Sequence, residues 1–235
     1  MTEEKSHPSK ESIEEFLGAF KMASERKRLG LLNRLEERVE ELLALGSTLM
    51  SGFDPGICDW TPGFILQLIH KTDKDFIRNT LNCDNLSWFD SPSDVGVDYS
   101  PLQRFLLNES YEDADRFTSS KLRELAGEKA VKRGYVYFSE VESIPSIDLS
   151  TLDKLWVVYS RGKFGFTVQA KILDSLGGRY DKLWPRIGWK KDGIWTRYPK
   201  AFNWSIEAPN GHMPLVNQLR GCLLYTSPSP RDNLP

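Results

Sequence analysis

The stretch Leu155–Pro214 reads LWVVYSRGKFGFTVQAKILDSLGGRYDKLWPRIGWKKDGIWTRYPKAFNWSIEAPNGHMP. Its first part is helical by pattern. Val168, Ile172, Leu173 and Leu176 recur at helical spacing, so a helix runs from about 166. Gly162 and Gly165 interrupt the chain before it, and Gly177-Gly178 ends it. Residues 180–187 read as a short helix closed near Pro185. From Trp189 onward regular spacing stops. Asp192-Gly193 and Asn210-Gly211 are turn dipeptides, while Pro199, Pro209 and Pro214 break helices. A loop of this length, carrying Trp189, Trp195 and Trp204, is the kind that usually has a function.

The chemistry of the stretch is as uneven as its pattern. It holds five of the seven tryptophans, with Phe164, Phe166, Tyr180, Tyr198 and Phe202 among them. Arg161, Lys163, Lys171, Arg179, Lys182, Arg186, Lys190, Lys191, Arg197 and Lys200 are interleaved. The acids are Asp174, Asp181, Asp192 and Glu207. Aromatic surface beside positive charge suits a large, flat, anionic ligand: ring faces cover its plane and cations meet its negative edge. Binding rather than catalysis is the expectation. Trp156 belongs to the inward stripe of a helix and reads as core, whereas ligand and core are equal readings for Trp195 and Tyr198.

Upstream, Ile13, Phe16, Leu17 and Phe20, then Leu32, Leu35, Val39 and Leu42, predict helices over 10–29 and 31–45, punctuated by Gly30 and Gly46. A loop follows at 52–60, then helices at 63–71 and 73–82. Residues 83–97, with Asn85, Asp90, Ser91-Pro92-Ser93-Asp94 and Gly96, read as a linker. After it, Pro101 opens a short helix. A longer helix spans 111–126, with Ala114, Phe117, Leu122 and Leu125 inward and Gly127 as its stop. Tyr135–Phe138 reads as an extended lead-in to another short helix. Ser150 and Asp153 form a capping-box-like pair opening a helix that carries Leu152, Leu155, Trp156 and Tyr159. Leu215, Val216 and Leu219 begin a last short helix. The expected fold is all-α, with a small N-terminal helical bundle over 1–82, a linker over 83–97 and an all-helical domain over 98–222.

Composition narrows the functional classes. A length of 235 residues allows one or two domains, and 40 per cent apolar with 27 per cent charged residues is ordinary for a soluble globular protein. A formal charge of −2 argues against general nucleic-acid or membrane binding. Acids crowd 54–115 and bases crowd 155–214, a split that hints at two surfaces. Cys58, Cys83 and Cys222 share neither disulfide nor metal spacing, so a reducing compartment is expected. No apolar run is long enough to span a bilayer. The Glu-rich start is neither a signal nor a transit peptide as it stands. Residues 223–235 resemble translated sequencing-adapter read-through and are expected not to be native. No HExxH, GxSxG, P-loop or CxxC motif occurs. His212 lies in a loop with no partner at ligand spacing, so a hydrogen-bonded, loop-fixing role is expected. Gly162–Gly165 matches the GxxG spacing of a nucleic-acid clamp, but the strands such a domain needs are missing; a tight turn sending Phe into the core is the simpler reading.

Several motifs in register carry a family resemblance. They are Ala114-Asp115, Leu122 with Glu124–Gly127, Asp148-Leu149, Leu155-Trp156, Phe164–Gln169, Ile187–Lys190, Trp195–Arg197, Ala208–Pro214 and Asn217–Gly221. Together they resemble the genomes-uncoupled-four family over about 98–222. The N-terminal helices resemble, more weakly, the bundle that cyanobacterial members carry ahead of the core.

The resemblance implies a cupped all-helical domain that binds protoporphyrin and magnesium-protoporphyrin. It also implies stimulation of magnesium chelatase in chlorophyll biosynthesis, through that enzyme's large subunit. The alternative is a porphyrin-sensing signalling adaptor. Neither enzymatic activity, nor a catalytic cofactor, nor nucleic acid is expected, and membrane association is at most peripheral. The expected location is the plastid, stroma or thylakoid surface, with the cyanobacterial cytoplasm as alternative. Family ligand positions fall on Phe138, Trp195, Tyr198, Asn217 and Arg220, and Trp189–Pro214 matches the family's closing loop. Phe202 would add to the apolar palm and Arg197 would join Arg220 at the propionates. Asn217 offers an oxygen to a central magnesium. Tyr198 stands where cyanobacterial members have Trp, and Ser119 where they have an Arg.

Overall fold

A computed structural model of the chain describes residues 11–81 and 86–215. Ser12 starts α1 (Ile13–Met22) with a reciprocal cap: its hydroxyl accepts from the Glu15 amide at 3.1 Å, and the Glu15 carboxylate accepts from the Ser12 amide at 3.0 Å. The helix does not run to 29. Ala23 and Ser24 are extended, and the Ser24 carbonyl accepts from Arg28 to begin α2 (Glu25–Gly30). Ser24 takes the N-cap position of α2 without a side-chain capping bond, and its poor fit to a helix interior favours the break. The predicted 31–45 helix is likewise two, α3 (Leu32–Glu36) and α4 (Val39–Ala44), divided at Arg38, which reaches Glu41 and the Glu11 carbonyl.

The central element is α5 (Trp60–Thr72). It starts three residues before the apolar spacing indicates, because the Asp59 carboxylate caps the Thr61 amide at 2.9 Å and Pro62 sits in the first turn. Almost every residue of α5 as far as His70 is buried, including Thr61 and Gln67. A helix buried on all sides must satisfy its polar groups with protein. Gln67 donates to the carbonyls of Leu106 at 2.8 Å and Tyr159 at 2.9 Å. These lie at the C-terminal ends of α7 (Ser100–Leu107) and α10 (Ser146–Val158). Where α5 meets α10, a Cβ on Gly63 would lie 2.1 Å from the Val158 carbonyl oxygen. Only glycine permits that approach. A short helix, α6 (Phe76–Leu81), follows.

The segment before α7 is bound rather than loose. Phe89 is buried, and Gln103 bonds both its amide and its carbonyl. Asp148 accepts from the Ser93 hydroxyl, the Asp94 amide and the Tyr99 hydroxyl at 2.6, 3.0 and 2.7 Å. Then α8 (Tyr111–Ala126) ends at Gly127, whose φ of +105° suits glycine. Six residues form α9 (Glu128–Arg133), which the sequence reading does not include. A 3₁₀ helix covers Phe138–Ser143.

Helix α10 begins at Ser146, not Ser150, so the predicted cap pair lies inside it. The Asp153 carboxylate instead serves the next helix, α11 (Phe166–Ser175), accepting from the Thr167 amide at 2.9 Å and hydroxyl at 2.7 Å. Helix α12 (Tyr180–Arg186) carries Pro185 in its last turn. The one sheet among the described residues is a two-residue ladder, β1 (Lys190–Lys191) with β2 (Ile194–Trp195). The fold is all-α. One buried core runs from Ile13 to Met213, and a smaller cluster of Leu173, Leu183, Ile187, Trp189, Phe202 and Leu215 lies under the aromatic loop.

Two glycine substitutions have opposite expected signs. Gly63→Ala, which must push α5 from α10, is expected to cost about 3 kcal/mol. Gly18→Ala, on α1 with open space around it, is expected to gain up to about 1 kcal/mol. Urea denaturation of the two variants checks both.

Candidate functional site

The site begins in α10. Trp156 is fully buried and its indole donates to the Thr118 hydroxyl on α8 at 3.0 Å. Tyr111 stacks on it, and Phe164 closes the group edge-on. Phe164 enters the core from the turn between α10 and α11, as does Phe166, so the GxxG spacing marks a helix–helix turn. A Cβ on Gly165 would meet Asp153 and Val157 below 3 Å.

That turn anchors the end of the long loop. The Gly165 amide donates to the Met213 carbonyl and the Gly211 amide to the Lys163 carbonyl. Gln169 of α11, buried, donates to the carbonyls of Gly211 at 2.9 Å and Pro214 at 3.0 Å. His212 fixes the same segment: Nδ1 bonds the Ile187 carbonyl at 2.6 Å, and the His212 carbonyl accepts from the Trp189 indole at 2.7 Å. Burial pushes the imidazole pKa down. The neutral tautomer with its proton on Nδ1 fits the carbonyl partner.

Between α12 and these anchors the loop carries two aromatic groups. In the first, Trp184 stacks on buried Trp189 at 5.6 Å and 10°, with Tyr180 and Trp195 against its other contacts. The ladder of β1 and β2 turns at Asp192-Gly193, both with positive φ, and puts Trp195 41 per cent exposed with the Lys190 ammonium over its ring. In the second, Tyr198 packs edge-on to Phe202 and Trp204, and Phe202 lies against His212. Tyr198 is 40 per cent exposed and Phe202 only 7 per cent. Arg197 and Lys200 are exposed on the same loop. Among the described residues, the carboxylate pair on α12 and this loop is Arg179–Asp181.

One contact ties this loop to α8. Asp115 is fully buried; its carboxylate accepts from the Leu215 amide at 2.5 Å and the Tyr198 hydroxyl at 3.3 Å. Burial pushes its pKa up to about 7, against the lowering by those two donors. Burial and the Asp115 charge push the Tyr198 hydroxyl up to about 12, so it remains a donor.

Of the residues selected from sequence, Trp195, Arg197, Tyr198 and Phe202 meet on one loop. Phe202 stands behind Tyr198 rather than beside it. Phe138 opens the 3₁₀ helix, and its side chain lies outside the described residues. Asn217 and Arg220, with the predicted last helix and the 223–235 tail, lie outside them too. Asp115 enters the sequence reading only as part of a family motif. Its signal was available: Tyr111, Ala114, Asp115, Thr118 and Leu122 form the inward face of α8, and a carboxylate there needs donors.

Fold and site together define an all-α protein whose irregular aromatic and basic loop is braced on a helical core. A family model described as GUN4-like matches residues 92–229, and the chain belongs to that family. It is 50 per cent identical over 160 residues to a Ycf53-like protein of Synechocystis, 68 per cent of this chain and 69 per cent of that one. It is 37 per cent identical over 135 residues to an Arabidopsis thaliana protein named "Tetrapyrrole-binding protein, chloroplastic", spanning about half of that protein's length at 51 per cent. Among solved structures, GUN4 from Chlamydomonas reinhardtii superposes with a TM-score of 0.54 at 37 per cent identity. That match covers 57 per cent of this chain and 88 per cent of the other.

The raised pKa of Asp115 makes stability depend on pH. The folded state holds the proton more tightly than the unfolded one, so the stabilisation is full below the ordinary carboxylate value and is lost as pH rises toward 7. The slope is about 1.4 kcal/mol per pH unit, levelling above about 7. Asp115→Asn is expected to remove that slope. Urea titrations of both proteins between pH 5 and 8 check it: their stability difference should grow in favour of the variant up to about pH 7, then stay constant.

Proposed function

We propose that the chain binds tetrapyrroles, specifically protoporphyrin and magnesium-protoporphyrin, and thereby stimulates magnesium chelatase through its large subunit. The observation that carries this reading is the pair of half-exposed rings, Trp195 and Tyr198, on a loop that also exposes Arg197 and Lys200. The rings would cover the apolar porphyrin face and the cations would meet the propionates. Family membership, and the name of the Arabidopsis relative, support the ligand class.

Binding without catalysis fits both supports. The reading needs no bond made or broken. Plastid or cyanobacterial residence fits a chloroplastic relative and a cyanobacterial one. Phe202 is a supporting ring rather than a contact in this reading. Asn217 and Arg220 keep their proposed roles at the central magnesium and the propionates. For about forty heavy atoms at about −0.3 kcal/mol each, the ceiling is near −12 kcal/mol. Ordering of the loop reduces that, so nanomolar to micromolar Kd is expected.

Titration with both porphyrins, followed by the Soret band and Trp quenching, tests the reading. Saturable binding is expected, weakened about tenfold by Trp195→Ala and several-fold by Arg197→Ala or Arg220→Ala. Absence of saturable binding to either porphyrin would sink it. Binding without stimulation of magnesium chelatase in a reconstituted assay would instead favour the signalling adaptor.

A further inference from the structure

We propose that Asp115 is the positioning residue of the aromatic surface: by clamping the Tyr198 hydroxyl and the Leu215 amide to α8, it fixes where the loop presents its exposed rings. This deepens the porphyrin reading and rests on it for the ligand.

The geometry is specific. The two donors lie 83 and 100 residues from Asp115 in sequence, and one carboxylate gathers both. Tyr198 is the only exposed ring of its group, with Phe202 and Trp204 packed behind it. Its hydroxyl bond to Asp115 sets the direction of the ring. The Leu215 bond holds the other end of the same loop, just after the Gln169 and His212 anchors. Releasing the carboxylate frees the ring and the far end of the loop together.

Among the described residues, the cation facing the clamp is Arg116 on the same helix, which acts on both Asp115 and Tyr198. The charged and titratable groups facing Asp115 are Glu112 and Arg116 on α8 and Tyr198 on the loop, and Arg116 is bonded to Glu112 at 2.5 Å. Opening the clamp returns the carboxylate to water, where ionisation is easier. The clamp therefore opens more readily as pH rises toward 7, and no further above it. A purely structural carboxylate in a sealed core would show no such loop-specific response.

Limited trypsin cleavage after Arg197 and Lys200 reads the clamp without any ligand. The ratio of wild-type to Asp115→Asn cleavage rates cancels the protease's own pH dependence. That ratio is expected to climb between pH 6 and 7, by at most about tenfold for one proton, and to stay flat from 7 to 8. Tyr198→Phe keeps the ring but removes the donor. It is expected to raise cleavage several-fold and to raise the Kd for magnesium-protoporphyrin several-fold. A ratio that ignores pH, or a Tyr198→Phe protein cut like wild type, would overturn the clamp. If wild type binds no porphyrin but the cleavage pattern holds, the clamp stands and the ligand assignment falls.

Discussion

The contact between Gly63 and the Val158 carbonyl sets the arrangement of everything after it. Because α5 has no side chain at that point, α10 can lie against it at backbone distance. Gln67 then serves two carbonyls, one at the end of α7 and one just past α10. The Leu106 carbonyl also accepts from the Glu109 amide, so Gln67 is a second donor there and ties the ends of both helices to α5. With α10 fixed, Trp156 reaches Thr118 and sets α8, and the turn through Gly165 sets α11. The aromatic loop inherits its position from that frame, through carbonyls bonded by Gly165 and Gln169.

Two buried aspartates show how the surroundings of a side chain decide its role. Asp148 and Asp115 are both fully buried. Burial pushes both carboxyls up, but Asp148 accepts from Ser93, Tyr99 and the Asp94 amide, and those donors carry its pKa below the usual range. Asp115 has two donors, one of them a long bond from Tyr198, and burial prevails. Asp148 lies at a shallower depth than Asp115, so lighter desolvation as well as a third donor separates the two. Asp148 thus staples the chain before α7 to the start of α10 at any pH above the usual carboxylate range, and that stabilisation is lost only as pH falls through its lowered pKa. Asp115 staples the loop to α8 on terms that depend on pH.

Periodicity made the helices with strong local signals legible. Pro101 opens α7, the inward stripe of α8 ends at Gly127, and α11 lies between Gly165 and Gly177. What the period did not reveal was decided by capping and distance. The breaks at Ala23-Ser24 and at Arg38 leave the apolar stripe intact, so the stripe cannot report them. Asp153 looks like a local cap but serves the first turn of α11, at Thr167 fourteen residues on, because the Gly165 turn folds α11 back against α10. In the loop no period exists at all. Trp189 and Trp195 look alike in sequence, yet one stacks beneath Trp184 and donates to His212 while the other stands half exposed. The aromatic and basic content of the site was legible; its division into ring and support was not.

That division is itself a physical requirement. An exposed ring on an irregular loop has no backbone ladder to hold it; side-chain entropy opposes any one orientation, and apolar burial favours its collapse onto the surface. Here the support is other aromatics. Trp184 and Trp189 back Trp195, while Phe202, Trp204 and His212 back Tyr198. Each backing group is anchored in turn through hydrogen bonds to loop carbonyls: Trp204 to Pro199, Trp189 to His212 and His212 to Ile187. The concentration of tryptophan in one stretch therefore has a structural cause as well as a chemical one. Two exposed rings need several buried ones, and an apolar layer rich in indole can both pack and satisfy the carbonyls that an irregular backbone leaves over.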